Sequence, residues 1–291
     1  MRVACLFSGG KDSTYAAYVA MQRGWEIGPL ITIRPADPES MMFHVPNLHL
    51  TALQAEAMEL PLLKETAAAG EDGELDALRR AFERADAEGI VVGAIASDYQ
   101  HSRVNRVAHA LGLPVFAPLW RQDPRQLVHD YLHAGFRIVF SSVSAEGLDA
   151  SWLGRAWDAE TVQALLGLQE SRGVHPCGEG GEFETLVLDG PLFRKRLVID
   201  RAESVWEARA GVWRVTAAHL AAKELDSRVP AEGGWPELNG RRRRPQPEGS
   251  PTLPPTVIRG SSDDIGSWKM ICIRRRARRR SSFPMSLTEI P

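Results

Sequence analysis

Cysteine is scarce in this 291-residue chain, which has only three. So few and so scattered cysteines exclude a disulfide framework and are typical of a reducing compartment. The chain also lacks any apolar run of the roughly 18 residues that a transmembrane helix needs. Its first residues turn glycine-rich too early for the apolar segment of a signal peptide. We therefore expect a cytoplasmic protein without a membrane span.

Net charge is nearly absent as well, because 35 basic residues face 37 acidic ones and leave −2 at pH 7. The balance conceals an uneven distribution. Residues 241–291 hold 12 basic and 4 acidic residues, or +8, so the preceding 240 residues carry −10. An acidic body argues against nonspecific nucleic-acid binding there, and the partners of the basic tail stay open. A hydrophobic content of 44% excludes a wholly disordered chain.

Apolar runs in the first half of the chain alternate with segments of helical periodicity, which predicts parallel βαβ units. Several of these runs are apolar throughout, as in strands that helices cover on both faces. The predicted strands are 3–7, 29–33, 62–66, 90–95, 115–117 and 136–143. We therefore expect residues 1–143 to form a doubly wound parallel α/β domain.

Residues 144–224 have a different character, with one predicted helix, a glycine-rich loop and three β-prone runs. These elements lie at 158–172, 175–185, 183–188, 196–200 and 212–217. The pattern predicts a smaller α+β domain whose loops face the first domain. Residues 225–291 are rich in Pro, Gly, Ser and Arg without periodicity, which predicts a disordered basic tail.

The strongest local feature is Ser8-Gly9-Gly10-Lys11-Asp12-Ser13, here called the N-terminal glycine loop, between the first strand and the first helix. Glycines let a backbone turn sharply and approach a ligand closely. Free N–H groups at a helix start favour a phosphate, to which lysine adds a cation and serine adds hydroxyl donors. Neither a Walker loop nor a dinucleotide fingerprint fits this spacing. A capped turn without a ligand is the alternative interpretation.

A second polar segment, residues 93–103, follows the predicted fourth strand and is here called the middle loop. Ligands of open α/β sheets bind outside the carboxyl ends of the strands. The side chains that we expect to face a nucleotide there are Ser97, Tyr99, Gln100 and Arg103. A solvated loop that only caps a helix is the alternative.

Residues 175–185, here called the C-terminal glycine loop, combine glycines with carboxylates. The members are Gly178, Glu179, Gly180, Gly181, Glu182 and Glu184. Like charges so close together repel one another, which is costly in a plain surface loop. Such spacing suits Mg²⁺ or an ammonium-like substrate group. The alternative is a loop that enters a strand with Glu182 and Glu184 on one face.

The N-terminal glycine loop resembles the SGGxDS pyrophosphate loop of the ATP pyrophosphatase (PP-loop) superfamily, which has a HUP-like fold. Together with GAIASDYQHSR (93–103) and GEGGEFETLVLDGPLF (178–193), in the same order, it resembles the diphthine–ammonia ligases over residues 1–199. The resemblance implies cleavage of ATP to AMP and pyrophosphate. It also implies amidation of the carboxylate of diphthine, a modified histidine on elongation factor 2, through an acyl-adenylate.

The resemblance further implies roles for individual residues. The implied nucleotide ligands are Ser8, Gly9, Gly10, Lys11, Asp12, Ser13, Ser97, Tyr99, Gln100 and Arg103. The implied catalytic residues are Lys11, Glu179, Glu182 and Glu184. The implied acceptor-binding residues are His44, Asn47, Gly178, Gly180 and Gly181. Asp12 and Glu182 are implied for Mg²⁺; whether each glutamate serves Mg²⁺, ammonium or the trimethylammonio group of diphthine stays open.

The implied co-substrates are ATP and free ammonia, since no Cys/His glutaminase arrangement is evident, and the implied partner is elongation factor 2 bearing diphthine. One alternative is a PP-loop enzyme that acts on a tRNA base or a small carboxylate. Another is a nucleotide-binding sensor without turnover. Formation of AMP separates the enzymes from the sensor, and the identity of the acceptor separates the two enzymes.

Overall fold

Five parallel strands make up the first sheet, in the order β3-β2-β1-β4-β5. They are β1 (Arg2–Leu6), β2 (Glu26–Pro35), β3 (Leu62–Ala67), β4 (Gly89–Val91) and β5 (Val115–Phe116). The order reverses between β1 and β4, and ligands of open α/β sheets bind at the carboxyl ends of strands beside such a reversal. This computed structural model describes residues 1–36 and 46–223.

Helices cover both faces of the parallel sheet. They are α1 (Lys11–Gln22), α2 (Thr51–Met58), α3 (Glu71–Arg84) and α4 (Asp98–Ala110). Alternate residues of β1 belong to different cores: Val3 and Cys5 lie in the cluster that contains residues of α1, whereas Ala4 lies in the cluster of α3 and α4. Since side chains alternate across a strand, both faces of the sheet are buried. The predicted doubly wound α/β fold is confirmed.

Four antiparallel strands make up the second sheet, in the order β7-β6-β9-β8. They are β6 (Arg137–Val143), β7 (Phe183–Asp189), β8 (Lys195–Glu207) and β9 (Ala210–Ala222). The helices α5 (Pro124–His133) and α6 (Ala159–Arg172) precede and interrupt these strands. The helix α5 begins after Asp123, whose carboxylate accepts the N–H of Arg125 at 2.9 Å and caps the helix, and proline suits its first position.

One strand prediction was wrong in its pairing. The sixth strand, expected at 136–143 in the parallel series, is β6 of the antiparallel sheet. The reason is that a largely apolar, β-prone run indicates a buried strand without identifying its neighbours, and a central strand of either kind of sheet meets that condition. The chain therefore passes from the first sheet to the second between β5 and β6, before residue 143. The domain limits expected from the sequence, 1–143 and 144–224, stay a prediction.

The two sheets meet at the N-terminal glycine loop. The carbonyl of Gly9 accepts the backbone N–H of Val187, from β7, at 3.0 Å. The side-chain amide of the fully buried Gln54, from α2, donates to the carbonyls of both Gly9 and Val187 at 2.9 and 2.8 Å. The loop is thus fixed between β1, α2 and β7, because its backbone bonds to elements of both sheets.

Two of the predictions fall on parts of the chain that the structure does not describe. The basic tail predicted for 225–291 and the acceptor-binding role of His44 both lie outside the described residues. In the described ranges, no helix is long and apolar enough to cross a membrane.

Candidate active site

The N-terminal glycine loop follows β1 and leads directly into α1. Its two serine hydroxyls, of Ser8 and Ser13, lie 3.1 Å apart and share a hydrogen bond. Gly9 has a φ of +82°, and a Cβ there would collide with the side-chain oxygen of Gln54. Gly10 is the residue before the first turn of α1 and supplies no side chain to cap it. A ligand can therefore approach the start of this helix, where N–H groups lack helical partners.

Lys11 is the most deeply enclosed charge of the site, with a side chain only 3% exposed. Its Nζ donates to Asp12 Oδ2 at 2.8 Å and to the carbonyl of Cys177 at 2.6 Å. Burial is the largest single influence and would lower the pKa of Lys11, but Asp12, Cys177 and Glu184 together outweigh it and raise that pKa above its usual value. Lys11 therefore stays a cation inside the protein.

Three aromatic rings surround the same ammonium group. The centroids of Phe183, Trp157 and Tyr131 lie 5.2, 5.9 and 6.0 Å from Nζ of Lys11. Rings at such distances attract a cation through their electron-rich faces. Tyr131 also donates its hydroxyl to Asp12 Oδ1 at 2.7 Å. Both oxygens of Asp12 are thus engaged.

The middle loop contributes the start of α4. The hydroxyl of Ser97 caps this helix by accepting the N–H of Gln100 at 3.3 Å. The side chain of Arg103 does not line the cavity. Its guanidinium lies 3.3 Å from the ring centroid of Tyr99 and forms an ion pair with Glu71 at 2.6 Å.

The three glutamates of the C-terminal glycine loop have different environments. Glu179 accepts the N–H groups of Ala96 and Ser97 at 2.8 and 3.2 Å, and so joins this loop to the middle loop. Glu182 accepts the N–H groups of His175 and Gly180 at 3.0 and 2.8 Å, and so closes its own loop. Both bonds of Glu179 are to one of its oxygens, and only one of the three glutamates has no hydrogen bond to any described residue.

That residue is Glu184, on β7. Its carboxylate has no hydrogen bond or ion pair with any residue of the described ranges. Burial, more than the nearby charges, raises the pKa of Glu184 to about 7; Lys11 opposes the rise, and Asp12 and Glu179 add to it. The pKa of Glu179 is also raised, first by burial and then by Asp12.

A cavity of about 700 Å³ lies at the carboxyl ends of β1 and β4 and extends to the second sheet. The predicted site residues that line it are Ser8, Lys11, Asp12, Ser13, Ser97, Tyr99, Gln100, Gly178, Glu179, Gly180, Gly181 and Glu184. Gly9, Gly10, Arg103, Glu182 and Asn47 are predicted site residues that do not line it. The structure thus brings all three loops to one cavity.

Sequence profiles of one family match most of the chain. The "Diphthamide synthase N-terminal domain" matches residues 1–115, and the "Diphthamide synthase C-terminal domain" matches residues 123–221. The chain belongs to the diphthamide synthase family. The family assignment confirms the resemblance derived from the three loops.

Curated relatives of this diphthamide synthase family member carry one name. The diphthine–ammonia ligase of Mus musculus is 36% identical over 258 residues, which are 80% of this chain and 96% of the relative. That of Bos taurus is 37% identical over 252 residues, which are 79% and 94%. The diphthine–ammonia ligase of Schizosaccharomyces pombe is 36% identical over 70% of this chain but only 37% of its own length.

One solved structure is also similar, a predicted subunit of tRNA methyltransferase from Methanocaldococcus jannaschii. It aligns with a TM-score of 0.36 and 17% identity, over 66% of this chain and 98% of that chain.

The residues of this diphthamide synthase family member fit ATP. The cavity volume lies within the range of about 300 to 1,000 Å³ that is common for small-molecule sites. A Cβ on Gly93 would lie 2.7 Å from backbone atoms of Asp12 and Ser13, so the middle loop closes directly against the N-terminal glycine loop. The negative charges of Asp12 and Glu179 are bound to donors, which leaves the helix start and the serine hydroxyls as the anion-binding groups.

The fit to Mg²⁺ is more limited. In residues 1–36 and 46–223, no group of three or more His, Cys, Asp or Glu side chains is arranged to hold a metal ion. Mg²⁺ in nucleotide sites is commonly bound by one or two carboxylates together with phosphates and water. Asp12 lines the cavity, and although each of its oxygens accepts one hydrogen bond, each keeps a second lone pair that could bind Mg²⁺. Glu182 does not line the cavity and directs its carboxylate into its own loop.

Several site residues escaped the sequence patterns. Thr185, which was not among the predicted residues, accepts the N–H of Lys11 at 3.1 Å. Asn47 was among them, and its side-chain amide donates to the carbonyl of Trp213 and accepts the N–H of Val215 on β9, both at 2.8 Å. The hairpin between β8 and β9 lines the cavity through residues 210–212. The run GEGGEFET contains Thr185 and could have indicated it, but nothing local marks residues 210–212.

Proposed function

We propose that this protein is a diphthine–ammonia ligase, an ATP-dependent enzyme that forms a C–N bond. It converts the carboxylate of diphthine on elongation factor 2 into an amide and releases AMP and pyrophosphate. The observation that carries the proposal is the shared cavity, where an anion-binding helix start faces a loop with one free carboxylate. Relatives of that name match this chain at about 36% identity over four fifths of its length.

The N-terminal glycine loop acts on the phosphates. The start of α1 and the hydroxyls of Ser8 and Ser13 bind the pyrophosphate part of ATP. The ammonium group of Lys11 places a fixed positive charge under that loop and stabilises the negative charge that develops on the leaving pyrophosphate. Asp12 is the carboxylate that would hold Mg²⁺, which supplies further charge neutralisation when it is bound.

The middle loop and the C-terminal glycine loop act on the rest of ATP and on the acceptor. Ser97, Tyr99 and Gln100 line the nucleotide side of the cavity. Gly178, Gly180 and Gly181 line the acceptor side of the cavity. A Cβ on Gly181 would meet no atom within 4 Å, whereas a Cβ on Gly178 or Gly180 would collide with Phe183 or Glu182, so the loop keeps this compact shape only with glycine there. The diphthine carboxylate can thus reach the α-phosphate of ATP, where an acyl-adenylate forms and ammonia displaces AMP.

The chemistry defines the partners and the compartment. The acceptor is elongation factor 2 that bears diphthine, the nitrogen source is free ammonia, and both belong to the cytoplasm. A PP-loop enzyme with a tRNA base or a small carboxylate as its acceptor would share the same ATP chemistry. The acidic body argues against the tRNA acceptor, because it repels a polyanion.

Incubation with ATP, Mg²⁺, ammonium and diphthine-bearing elongation factor 2 tests the proposal. We expect AMP and pyrophosphate in amounts equal to those of the amidated factor, measured by chromatography and by mass spectrometry of the modified peptide. A factor that still carries unmodified histidine is the matched control and should give no AMP. ADP as the product, or AMP formation that ignores diphthine, would contradict the proposal.

A further inference from the structure

Glu184 differs from the other two glutamates of its loop in having a free carboxylate. Glu179 is bonded to the middle loop and Glu182 to its own loop, so each has a structural partner. Glu184 has none among the described residues, although it lines the cavity. A partly buried carboxylate without a partner is costly to keep, and such groups are found where a ligand supplies the missing contact.

The backbone holds Glu184 in a defined position. It is the second residue of β7 and pairs with Ser142 of β6, a residue that also lines the cavity. On the adjacent position of β7, Thr185 is buried and bonds the N–H of Lys11. The strand therefore fixes Glu184 beside Thr185, the residue that bonds the start of α1. A side chain on a strand is held more precisely than one on a loop.

The charges around Glu184 favour a small cation with N–H donors. The carboxylates of Asp12 and Glu179 add negative potential there, and together with Glu184 they outnumber the one nearby cation, Lys11, which opposes them. Of the three rings around Nζ of Lys11, only Phe183 lines the cavity, and the ring of Tyr99 is covered by Arg103, so among the described residues the trimethylammonio group of diphthine would meet no cage of free aromatic rings there. A quaternary ammonium group also has no N–H to donate to a carboxylate, whereas an ammonium ion has four.

We propose that Glu184 binds the ammonium ion that supplies the amide nitrogen and takes up one of its protons. The inference rests on the proposed function and assigns one of the three glutamates to the nucleophile. Glu184 would then be a catalytic residue of the amidation step, distinct from the residues that bind ATP.

In the proposed step, ammonium gives a proton to Glu184 before the C–N bond forms. The N–H bond electrons of ammonium stay on nitrogen as its proton passes to the Glu184 carboxylate, which leaves neutral ammonia. The nitrogen lone pair forms the C–N bond with the acyl carbon, and the bond from that carbon to the AMP oxygen breaks with its electron pair on AMP. The attacking nitrogen loses a second proton, which leaves with the AMP phosphate.

The test compares two nucleophiles in Glu184→Gln, a variant that keeps the shape of the side chain. Hydroxylamine is largely unprotonated at neutral pH and needs no base, whereas ammonia is almost entirely ammonium. We expect kcat/KM for ammonium to fall about 100-fold, as for loss of a general base, with little change for hydroxylamine. Single-turnover release of pyrophosphate before any nucleophile is added should stay unchanged.

Glu182→Gln is the matched control, because Glu182 lies two residues away but is bonded within its own loop. We expect it to change the rates with both nucleophiles by the same factor. Equal losses for both nucleophiles in Glu184→Gln, or no loss with ammonium, would overturn the role of Glu184. Absence of wild-type turnover with diphthine-bearing elongation factor 2 would overturn the proposed function instead, so the two failures are distinguishable.

Discussion

The N-terminal and C-terminal glycine loops face the same cavity but offer it groups of opposite charge, hydrogen-bond donors on the first loop and carboxylates on the second. The N-terminal loop presents a helix start and hydroxyls, and its only negative charge, on Asp12, is bound by Lys11 and Tyr131. The C-terminal loop carries three carboxylates, of which two are bound by backbone N–H groups. Net charge therefore does not describe either loop; what matters is which groups are left without a partner inside the protein.

This difference divides the reaction between the loops. An anion such as the phosphates of ATP is attracted to free N–H groups, and a cation such as ammonium is attracted to a free carboxylate. The two sites are joined at Thr185, which neighbours Glu184 and bonds the first turn of α1. Variants that disturb one loop and leave the other intact test this division.

Lys11→Met should have the largest effect, because it removes the cation between Asp12 and the carbonyl of Cys177. Loss of one member of a buried ion pair costs about 3 to 5 kcal/mol. We expect the free energy of unfolding to fall by that amount in urea titrations and AMP formation to stop. Lys223→Met is the control, since its partly exposed pair with Asp189 should contribute at most about 1 kcal/mol. Equal unfolding midpoints for the two variants would contradict the buried pair.

Gly93→Ala should have the next largest effect and should act on the nucleotide side alone. Its Cβ would lie 2.7 Å from backbone atoms of Asp12 and Ser13, so the two loops must separate. Overpacking of this kind costs about 1 to 3 kcal/mol, and we expect the Kd for ATP, measured by calorimetry, to rise about tenfold. In Gly167→Ala, where the Cβ meets no atom within 4 Å, both quantities should stay unchanged or stability should improve slightly. An unchanged Kd in Gly93→Ala would show that the contact is dispensable.

Glu182→Gln should have a smaller effect, confined to the shape of the C-terminal glycine loop. One oxygen of the carboxylate can be replaced by the amide oxygen, but the other would become a donor that faces a backbone N–H. A lost acceptor of this kind costs about 1 to 3 kcal/mol. We expect a lower melting temperature and a higher KM for the acceptor, with an unchanged Kd for ATP. A change in ATP binding alone would reverse the assignment of the two loops.

The parallel sheet and the N-terminal glycine loop could be predicted because their determinants are contiguous in the chain. Alternating strand and helix patterns fix a βαβ order, and six adjacent residues form the loop. The pairing of β6 could not be predicted in the same way, since burial on both faces does not distinguish parallel from antiparallel neighbours. Its partners β7 and β9 lie far along the chain.

The roles of Lys11 and the glutamates could not be predicted for a related reason. The sequence indicates a mobile cation at Lys11, whereas Tyr131, Trp157 and Phe183 enclose it from more than a hundred residues away. Likewise, the GEGGEFET run indicates three equivalent carboxylates. Which of them is free depends on where the backbone N–H groups of Ala96, Ser97 and Gly180 point, and only the folded chain decides that.

Glu184→Gln should have the smallest effect on stability, and of the opposite sign. The pKa of Glu184 is raised from 4.5 to about 7, so its charged form destabilises the folded protein above pH 7 and costs nothing below about pH 4.5. Removing the charge should therefore stabilise the protein as pH rises through this window. We expect a gain of about 1 kcal/mol at pH 8, less than the whole shift implies because the residue is partly exposed, and none at pH 4.5. Thermal unfolding at both pH values measures this gain, and Glu182→Gln should show a loss at both. A loss at pH 8 in Glu184→Gln would mean that the Glu184 carboxylate is bound within the folded protein. The C-terminal glycine loop would then have no free carboxylate to distinguish it from the N-terminal glycine loop.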